Sequence, residues 1–98
     1  MIEYDEAKPL EGQPFLMTAG GEPGLDVVLI QVQARPRGVR PQQLRDPYAL
    51  YFKGTKGVHL PQGSYRLTHA VLGARELFMV PIAHDPQSDE YTYEAMFS

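Results

Sequence analysis

His69 is the residue whose type and position most readily suggest chemistry. It lies in a predicted strand at 64–70, in which Tyr65, Leu67 and His69 alternate with polar residues and therefore share one face. We expect that face to be buried. A histidine there is either a metal ligand or proton carrier, or a structural group bonded to the backbone or to an acid. The structural role is favoured, because buried polar side chains are in most cases hydrogen-bonded within the protein.

Three further residues join His69 as candidates for a polar core or a ligand site: Gln62, Tyr65 and Tyr93. Gln62 lies in the turn before the strand, where we expect its amide to hold a buried backbone group; the alternative is a recognition tip. A barrel with Tyr65, His69 and Tyr93 inside would offer a small ligand both aromatic surface and hydrogen bonds. Small-ligand binding is therefore the first alternative function.

Residue spacing gives little support to metal binding or catalysis. His59, His69 and His84 lie on different predicted strands or turns, without a compact motif such as His-Glu-x-x-His. The acidic turn at 85–90 lacks the spaced oxygen ligands and central glycine of a calcium loop. No serine has a nucleophile-elbow context, no two acids share a predicted inward face, and cysteine is absent. We predict no catalytic residue, metal or cofactor; a metal or acid–base enzyme built on His69 is the second alternative.

A basic, proline-rich segment at 35–47 is the second candidate site. Its arginines are Arg35, Arg37, Arg40 and Arg45. Two internal prolines and a glycine predict a long irregular loop, and guanidinium groups bind carboxylates and phosphates. The net charge of −3 and the scarcity of exposed aromatics argue against nucleic acid. We predict that these arginines, together with Tyr51 on an exposed face, bind the acidic surface of another protein. The alternative partner is the acidic end of a second copy of this chain.

Apolar alternation between turn motifs predicts about six antiparallel strands. The predicted strands cover 15–18, 25–34, 48–53, 64–70, 75–82 and 90–97. Residues 1–13 predict at most a short helical turn that Pro9 and Gly12 end. Together they indicate one all-β domain over residues 1–98, a small antiparallel barrel or sandwich without a helix of normal length. Pro14, Pro81 and charged residues are expected to protect its edge strands.

The hairpin at 60–82 is the predicted centre of this fold. Its second strand and the strand at 25–34 each carry an alternating apolar face, which we expect to point into the core. The residues expected on those faces are Phe78, Val80 and Ile82, and Val28, Ile30 and Val32. Val27 and Leu29 are also apolar, which suggests that the start of 25–34 is covered on both sides.

Four stretches of the C-terminal half carry further strand motifs: PYALYFKG (47–54), LPQGSYRLTHAVLG (60–73), LFMVPI (77–82) and YTYEAMF (91–97). Among them are a Gln-Gly-x-Tyr-x-Leu-x-His strand and a terminal Tyr-x-Ala-x-Phe strand. The chain resembles, in these motifs, a family of short uncharacterised bacterial proteins. The matching residues are Leu50, Phe52, Gly54, Gln62, Gly63, Tyr65, Leu67, His69, Gly73, Phe78, Pro81, Tyr93, Ala95 and Phe97. The resemblance implies a domain of unknown function, with some members encoded near phage-tail-like structural genes.

The expected function is that of a non-catalytic interaction or accessory module, and the resemblance implies an association with a phage-tail-like structural assembly. The N-terminal stretch is acidic and has no apolar core, so we do not expect it to be a signal peptide, and the apolar runs are too short for a predicted membrane span. We expect a cytoplasmic protein without membrane contact, either monomeric or homodimeric.

Overall fold

The structure, a computed structural model, describes residues 1–19, 23–34 and 47–97. In order, its elements are α1 (Tyr4–Ala7), a 3₁₀ turn (Lys8–Leu10), β1 (Pro14–Thr18), β2 (Leu25–Ala34), β3 (Tyr48–Lys53), β4 (Gly63–His69), β5 (Gly73–Asp85) and β6 (Glu90–Phe97). The prediction of an all-β fold with about six strands is confirmed. Within the described ranges, no helix is long and apolar enough to cross a membrane.

The six strands form a closed antiparallel barrel in the order β1-β2-β3-β6-β5-β4. Most consecutive strands are neighbours, but β3 and β4 are not, so the link at 54–62 crosses one end of the barrel. Closure gives every strand two partners, which removes the open edges that the sequence led us to expect. Pro81 instead marks a register shift against β6, between Pro81 and Ala83, where its missing N–H is tolerated.

The barrel interior is filled by alternating apolar side chains. The largest fully buried ones are Tyr93, Phe52, Ile2, Met17, Leu29, Leu50, Leu67, Met79, Val27 and Val32. The predicted buried face of β4 is confirmed, because Tyr65, Leu67 and His69 are all buried. The strand β6 alternates in the same way, with Tyr93 and Ala95 inside and Met96 exposed.

In β5 the predicted inward face was wrong. Leu77 and Met79 are buried, whereas Phe78 and Ile82 are 56% and 48% exposed. Apolar residues occupy both alternating sets in this strand, so periodicity alone does not decide which set faces the core. Pairing with β4 decides it, because Leu77 lies opposite the inward-facing Tyr65.

In β2 an irregular register changes the facing of the strand. Val27 and Leu29 point inward, and Val28 and Ile30 are exposed. The register against β3 shifts between Leu29 and Gln31, so Val32 is buried again although it has the parity of the exposed pair. A one-residue bulge reverses the side-chain phase, and the sequence pattern does not show where it occurs.

The N-terminal segment covers the barrel end at which β3 begins and β6 ends. Ile2 and Ala7 are fully buried, and the Tyr48 hydroxyl donates to the Ile2 carbonyl at 2.6 Å. The backbone N–H of Gly12 donates to the Leu29 carbonyl at 2.6 Å, and Gly12 has a positive φ of 89° after the 3₁₀ turn. The short helical turn ending at Gly12 is therefore as predicted, and it joins the core to β1.

Candidate functional site

The imidazole of His69 has hydrogen-bond partners at both ring nitrogens. Its Nδ1 accepts the backbone N–H groups of Val71 and Leu72 at 3.0 and 3.3 Å. An accepting Nδ1 carries no proton, so Nε2 carries it and donates to the Gln13 side-chain oxygen at 2.7 Å. The ring also packs on Phe15, with centroids 4.9 Å apart. This geometry fits the structural role and leaves no ring nitrogen free for a metal or a substrate proton.

Tyr65 and Tyr93 anchor the link that crosses the barrel end. The Tyr65 hydroxyl donates to the Pro61 carbonyl at 2.5 Å, and the Tyr93 hydroxyl accepts the Leu60 N–H at 3.0 Å. Burial raises the pKa of both phenols, so both stay protonated at neutral pH. Gln62, by contrast, is exposed, and its amide makes no hydrogen bond to the part of the chain that the structure describes. The buried backbone contact expected of Gln62 was wrong, because tyrosine hydroxyls hold this link.

An apolar cleft of about 440 Å³ opens beside this link, where β1 ends and where β2 and β4 begin. Its lining residues are Met17, Ala19, Pro23, Leu25, Leu60, Pro61 and Tyr65. Met17 and Tyr65 are buried, whereas Pro23 and Pro61 are exposed at the rim. Among the described residues that line the cleft, the Tyr65 phenol is the one ionisable group, and its hydroxyl is bonded to Pro61. The apolar cleft is therefore suited to uncharged, apolar groups.

His69 does not belong to this cleft. It lies four residues beyond Tyr65 on β4, about 13 Å along the strand, near the opposite end of the barrel. The structure thus brings Tyr65 and Tyr93 together around Leu60 and separates them from His69. The ligand site predicted from all three residues is not formed as one site.

The end of β4 away from the cleft carries an apolar turn, residues 70–74, with the sequence Ala-Val-Leu-Gly-Ala. Val71 is 84% exposed, the highest value among the large apolar side chains of the described residues. Gly73 has a positive φ of 76°, which closes a three-residue hairpin loop between His69 and its pairing partner Gly73. Because His69 binds the N–H groups of Val71 and Leu72, the turn is fixed while its apex faces solvent.

The predicted partner-binding residues are not assembled into a described surface. Arg35, Arg37, Arg40 and Arg45 lie outside the described residues. Tyr51 is only 8% exposed, so the prediction that it stands on an exposed face was wrong. The strand β3 runs between β2 and β6, where Tyr51 lies opposite Gln31 and Glu94, and even its Ala49 is fully buried. All residues from Tyr48 to Phe52 are buried, so neither face of β3 presents Tyr51 to solvent.

The clearest ionic contact joins the N-terminal segment to β5. The Arg75 guanidinium donates to both Glu6 carboxylate oxygens at 3.1 and 3.0 Å and to the Met1 carbonyl at 2.9 Å. The Arg75 hydrogen bonds, aided by the Glu3 N–H, lower the pKa of Glu6 from 4.5 to about 2. This bidentate pair holds the N-terminal segment against the barrel, which is a structural role.

Other titratable groups also have structural partners. The Glu11 carboxylate accepts the Val32 N–H at 2.6 Å, and this hydrogen bond lowers the pKa of Glu11. A hydrogen bond from the Gln87 N–H likewise lowers the pKa of Asp85. His84 contacts Asp89 at 2.8 Å. Within 1–19, 23–34 and 47–97 there is no group of three histidine or acidic side chains that could hold a metal ion.

The apolar cleft and the apolar turn were not among the site residues expected from the sequence. The cleft brings together residues from four separate segments, and no local pattern reports such a distant arrangement. The turn did leave a signal: Ala-Val-Leu-Gly-Ala is apolar throughout, whereas turns between strands are usually rich in glycine and polar residues.

The family described as a domain of unknown function, DUF6916, matches residues 2–97. The chain therefore belongs to this family, and the resemblance to an uncharacterised domain family is confirmed. The searches of curated proteins and of solved structures found no similar protein.

Proposed function

We propose that this domain is a non-catalytic interaction module that binds a protein partner through the apolar cleft. The carrying observation is the cleft itself: an opening of about 440 Å³ at a barrel end, lined by apolar side chains. Concave openings with a mainly apolar lining are typical of binding sites, and a partner that fills the cleft removes this lining from water, which is favourable.

The distribution of polar groups supports binding over catalysis. Both nitrogens of His69 are bonded within the fold, and the strongly shifted carboxyl, Glu6, is held by Arg75. Catalytic acids and bases need an accessible site beside the substrate, with a proton free to move. Among its described lining residues, the apolar cleft offers the Tyr65 phenol alone, whose hydroxyl donates to the Pro61 carbonyl and whose pKa is raised by burial.

The arginine segment at 35–47 remains a second proposed contact, for a partner with an acidic surface. Its support is the local excess of positive charge in a chain whose net charge is −3. A cytoplasmic location and an association with a phage-tail-like assembly also remain proposals. The second rests on the resemblance of sequence motifs alone.

A free small molecule is the alternative occupant of the apolar cleft. The cleft volume is within the range of small-ligand sites, and the lining specifies a neutral, apolar compound. This alternative differs from the site expected around His69, because the cleft residues lie at the other end of β4.

Affinity capture from an extract of the native organism tests the proposal with four immobilised baits. These are the wild type, Pro61→Asp at the cleft rim, Pro86→Asp in the exposed β5–β6 turn as the matched control, and the variant with Arg35, Arg37, Arg40 and Arg45 all changed to Ser. Both prolines are exposed, so neither aspartate buries a charge in the core.

We expect a protein that is retained by the wild type and by Pro86→Asp and lost with Pro61→Asp. Loss with the arginine variant alone would keep the interaction but move it to the 35–47 segment. Absence of any retained protein would contradict the proposal. In that case, binding of a neutral dye such as Nile red to the wild type is measured by fluorescence. Loss of this binding in Pro61→Asp would favour the small-ligand alternative.

A further inference from the structure

We infer that the partner of the apolar cleft is a second copy of this chain, which inserts its apolar turn, residues 70–74. This inference rests on the proposed function, because it names the occupant of the same cleft. The two surfaces lie at opposite ends of β4: the cleft beside Tyr65 near its start, and the turn directly after His69 at its end. A single molecule therefore cannot fill its own cleft, whereas a neighbouring molecule can.

The apolar turn has the properties of a surface built for contact. Its apex Val71 is 84% exposed, and residues 70, 73 and 74 are exposed as well. A flexible apolar loop would lose conformational freedom on binding, which weakens association. Here the two backbone N–H groups at the apex are held by the His69 Nδ1, so the turn is already ordered. The buried His69 therefore orders the exposed turn that follows it.

The apolar cleft matches the turn in chemistry and size. Within the described part of the chain, neither surface carries an ionised group: the lining is apolar apart from the bonded Tyr65 phenol, and the turn is Ala-Val-Leu-Gly-Ala. Joining these described residues therefore desolvates no charged side chain, and desolvation of charge is a large cost of burial. The volume of about 440 Å³ exceeds the volume of one valine side chain and leaves room for neighbouring backbone of the turn, whereas Leu72 packs against the core of its own barrel.

The arrangement makes the contact heterologous. Each copy uses its turn on one neighbour and its cleft on another, so copies join head to tail and do not close as a symmetric pair. One turn in one cleft buries far less than the roughly 1,200 Å² of a standard interface, so the isolated contact should be weak. Self-association is therefore expected only at high protein concentration, or where other contacts align the copies.

The absence of cysteine from the chain permits a clean cross-linking test. Two single variants are mixed at high concentration under mild oxidation: Val71→Cys, and Ala19→Cys at the cleft, with an affinity tag on one of them. We expect a mixed covalent dimer, because a disulfide requires the two Cα atoms within about 7 Å. A Pro61→Cys variant, with its cysteine on another side of the cleft, should also form a mixed dimer with Val71→Cys. Phe78→Cys with Ala19→Cys is the matched control, because Phe78 is also exposed and apolar but lies on the barrel wall.

The yield of the mixed dimer of Val71→Cys with Ala19→Cys should be at least tenfold above the yield of the Phe78→Cys control. It should fall to the control yield when the Ala19→Cys protein also carries Pro61→Asp. Equal yields in the two mixtures, or dimers of Val71→Cys with itself alone, would overturn the inference. The capture experiment separates the two proposals: a different protein retained through the cleft, without mixed dimers, sustains the proposed function and removes the self-docking inference.

Discussion

At the scale of single residues, His69 is a group of reactive type whose bonding capacity the fold already uses. Its position in an alternating strand was enough to predict burial, because Tyr65 and Leu67 share its face. Its partners were not predictable. Gln13 lies 56 positions away in the sequence, and the two accepted N–H groups depend on the conformation of the following turn. The ring therefore links β4, the segment before β1, and the apolar turn.

Replacing His69 by Ala should lower the free energy of unfolding by about 1–3 kcal/mol, because the turn N–H groups and Gln13 lose a partner and Phe15 loses a contact. Urea unfolding followed by circular dichroism measures this. His84→Ala is the control, since His84 is an exposed histidine paired with Asp89, and its loss should cost less than about 1 kcal/mol. Equal losses in both variants would contradict the bonding assigned to His69.

The Glu6–Arg75 pair predicts a specific dependence of stability on pH. The folded pKa of Glu6 is about 2, below its ordinary value of 4.5, so the ionised carboxylate favours the folded state. The stabilisation is complete above about pH 4.5 and is lost as the pH falls towards 2. The melting temperature of Glu6→Gln should therefore lie below that of the wild type at pH 7 and approach it at low pH.

Glu76→Gln provides the comparison for this pH effect. Its partner Arg66 is 4.0 Å away, and both side chains are largely exposed, so the pair should contribute little. A difference between Glu6→Gln and wild type that stays constant from pH 7 to about 2 would show that the carboxylate does not act through its charge.

At the scale of elements, strand positions were predictable and strand facings were only partly so. The bounds of β2, β3 and β6 follow from turn motifs and alternating apolar residues, because both have local causes. The facing of β5 does not, because both of its faces are apolar and its pairing with β4 selects Leu77 and Met79. The bulge in β2 after Leu29 likewise depends on fitting the strand to β3.

The start of the link from β3 to β4 depends on close packing at Gly54. A Cβ atom added there would lie 2.8 Å from the Tyr93 ring, which is 1% exposed and cannot easily move. Gly54→Ala should therefore lower the free energy of unfolding by about 1–3 kcal/mol. Thermal and urea unfolding measure it.

Gly63→Ala is the matched control for that prediction. Its added Cβ would lie 3.8 Å from Tyr65, an ordinary contact, and its φ is not in the left-handed region. We expect a change within about 1 kcal/mol, on the stabilising side if alanine restricts the unfolded chain. A larger loss at Gly63 than at Gly54 would argue against the Tyr93 contact as the cause.

At the scale of the whole molecule, closure of the barrel creates two distinct ends, and neither end was visible in the sequence. Composition and strand spacing predicted a barrel or sandwich, but the order of strands depends on which hairpins meet in space. The apolar cleft arises where β1, β2, β4 and the link at 54–62 converge. The apolar turn was visible as a motif, yet only the fold shows that it lies opposite the cleft.

The most direct test of the account is an NMR titration between two complementary variants. One is ¹⁵N-labelled Val71→Glu, which keeps its cleft; the other is unlabelled Pro61→Asp, which keeps its turn. Because each has only one functional end, the pair forms a single contact and no longer chain. The account predicts concentration-dependent shifts of the labelled protein's amides at Met17, Leu25, Leu60 and Tyr65. Absence of shifts at millimolar concentration, or shifts confined to other faces of the barrel, would contradict it.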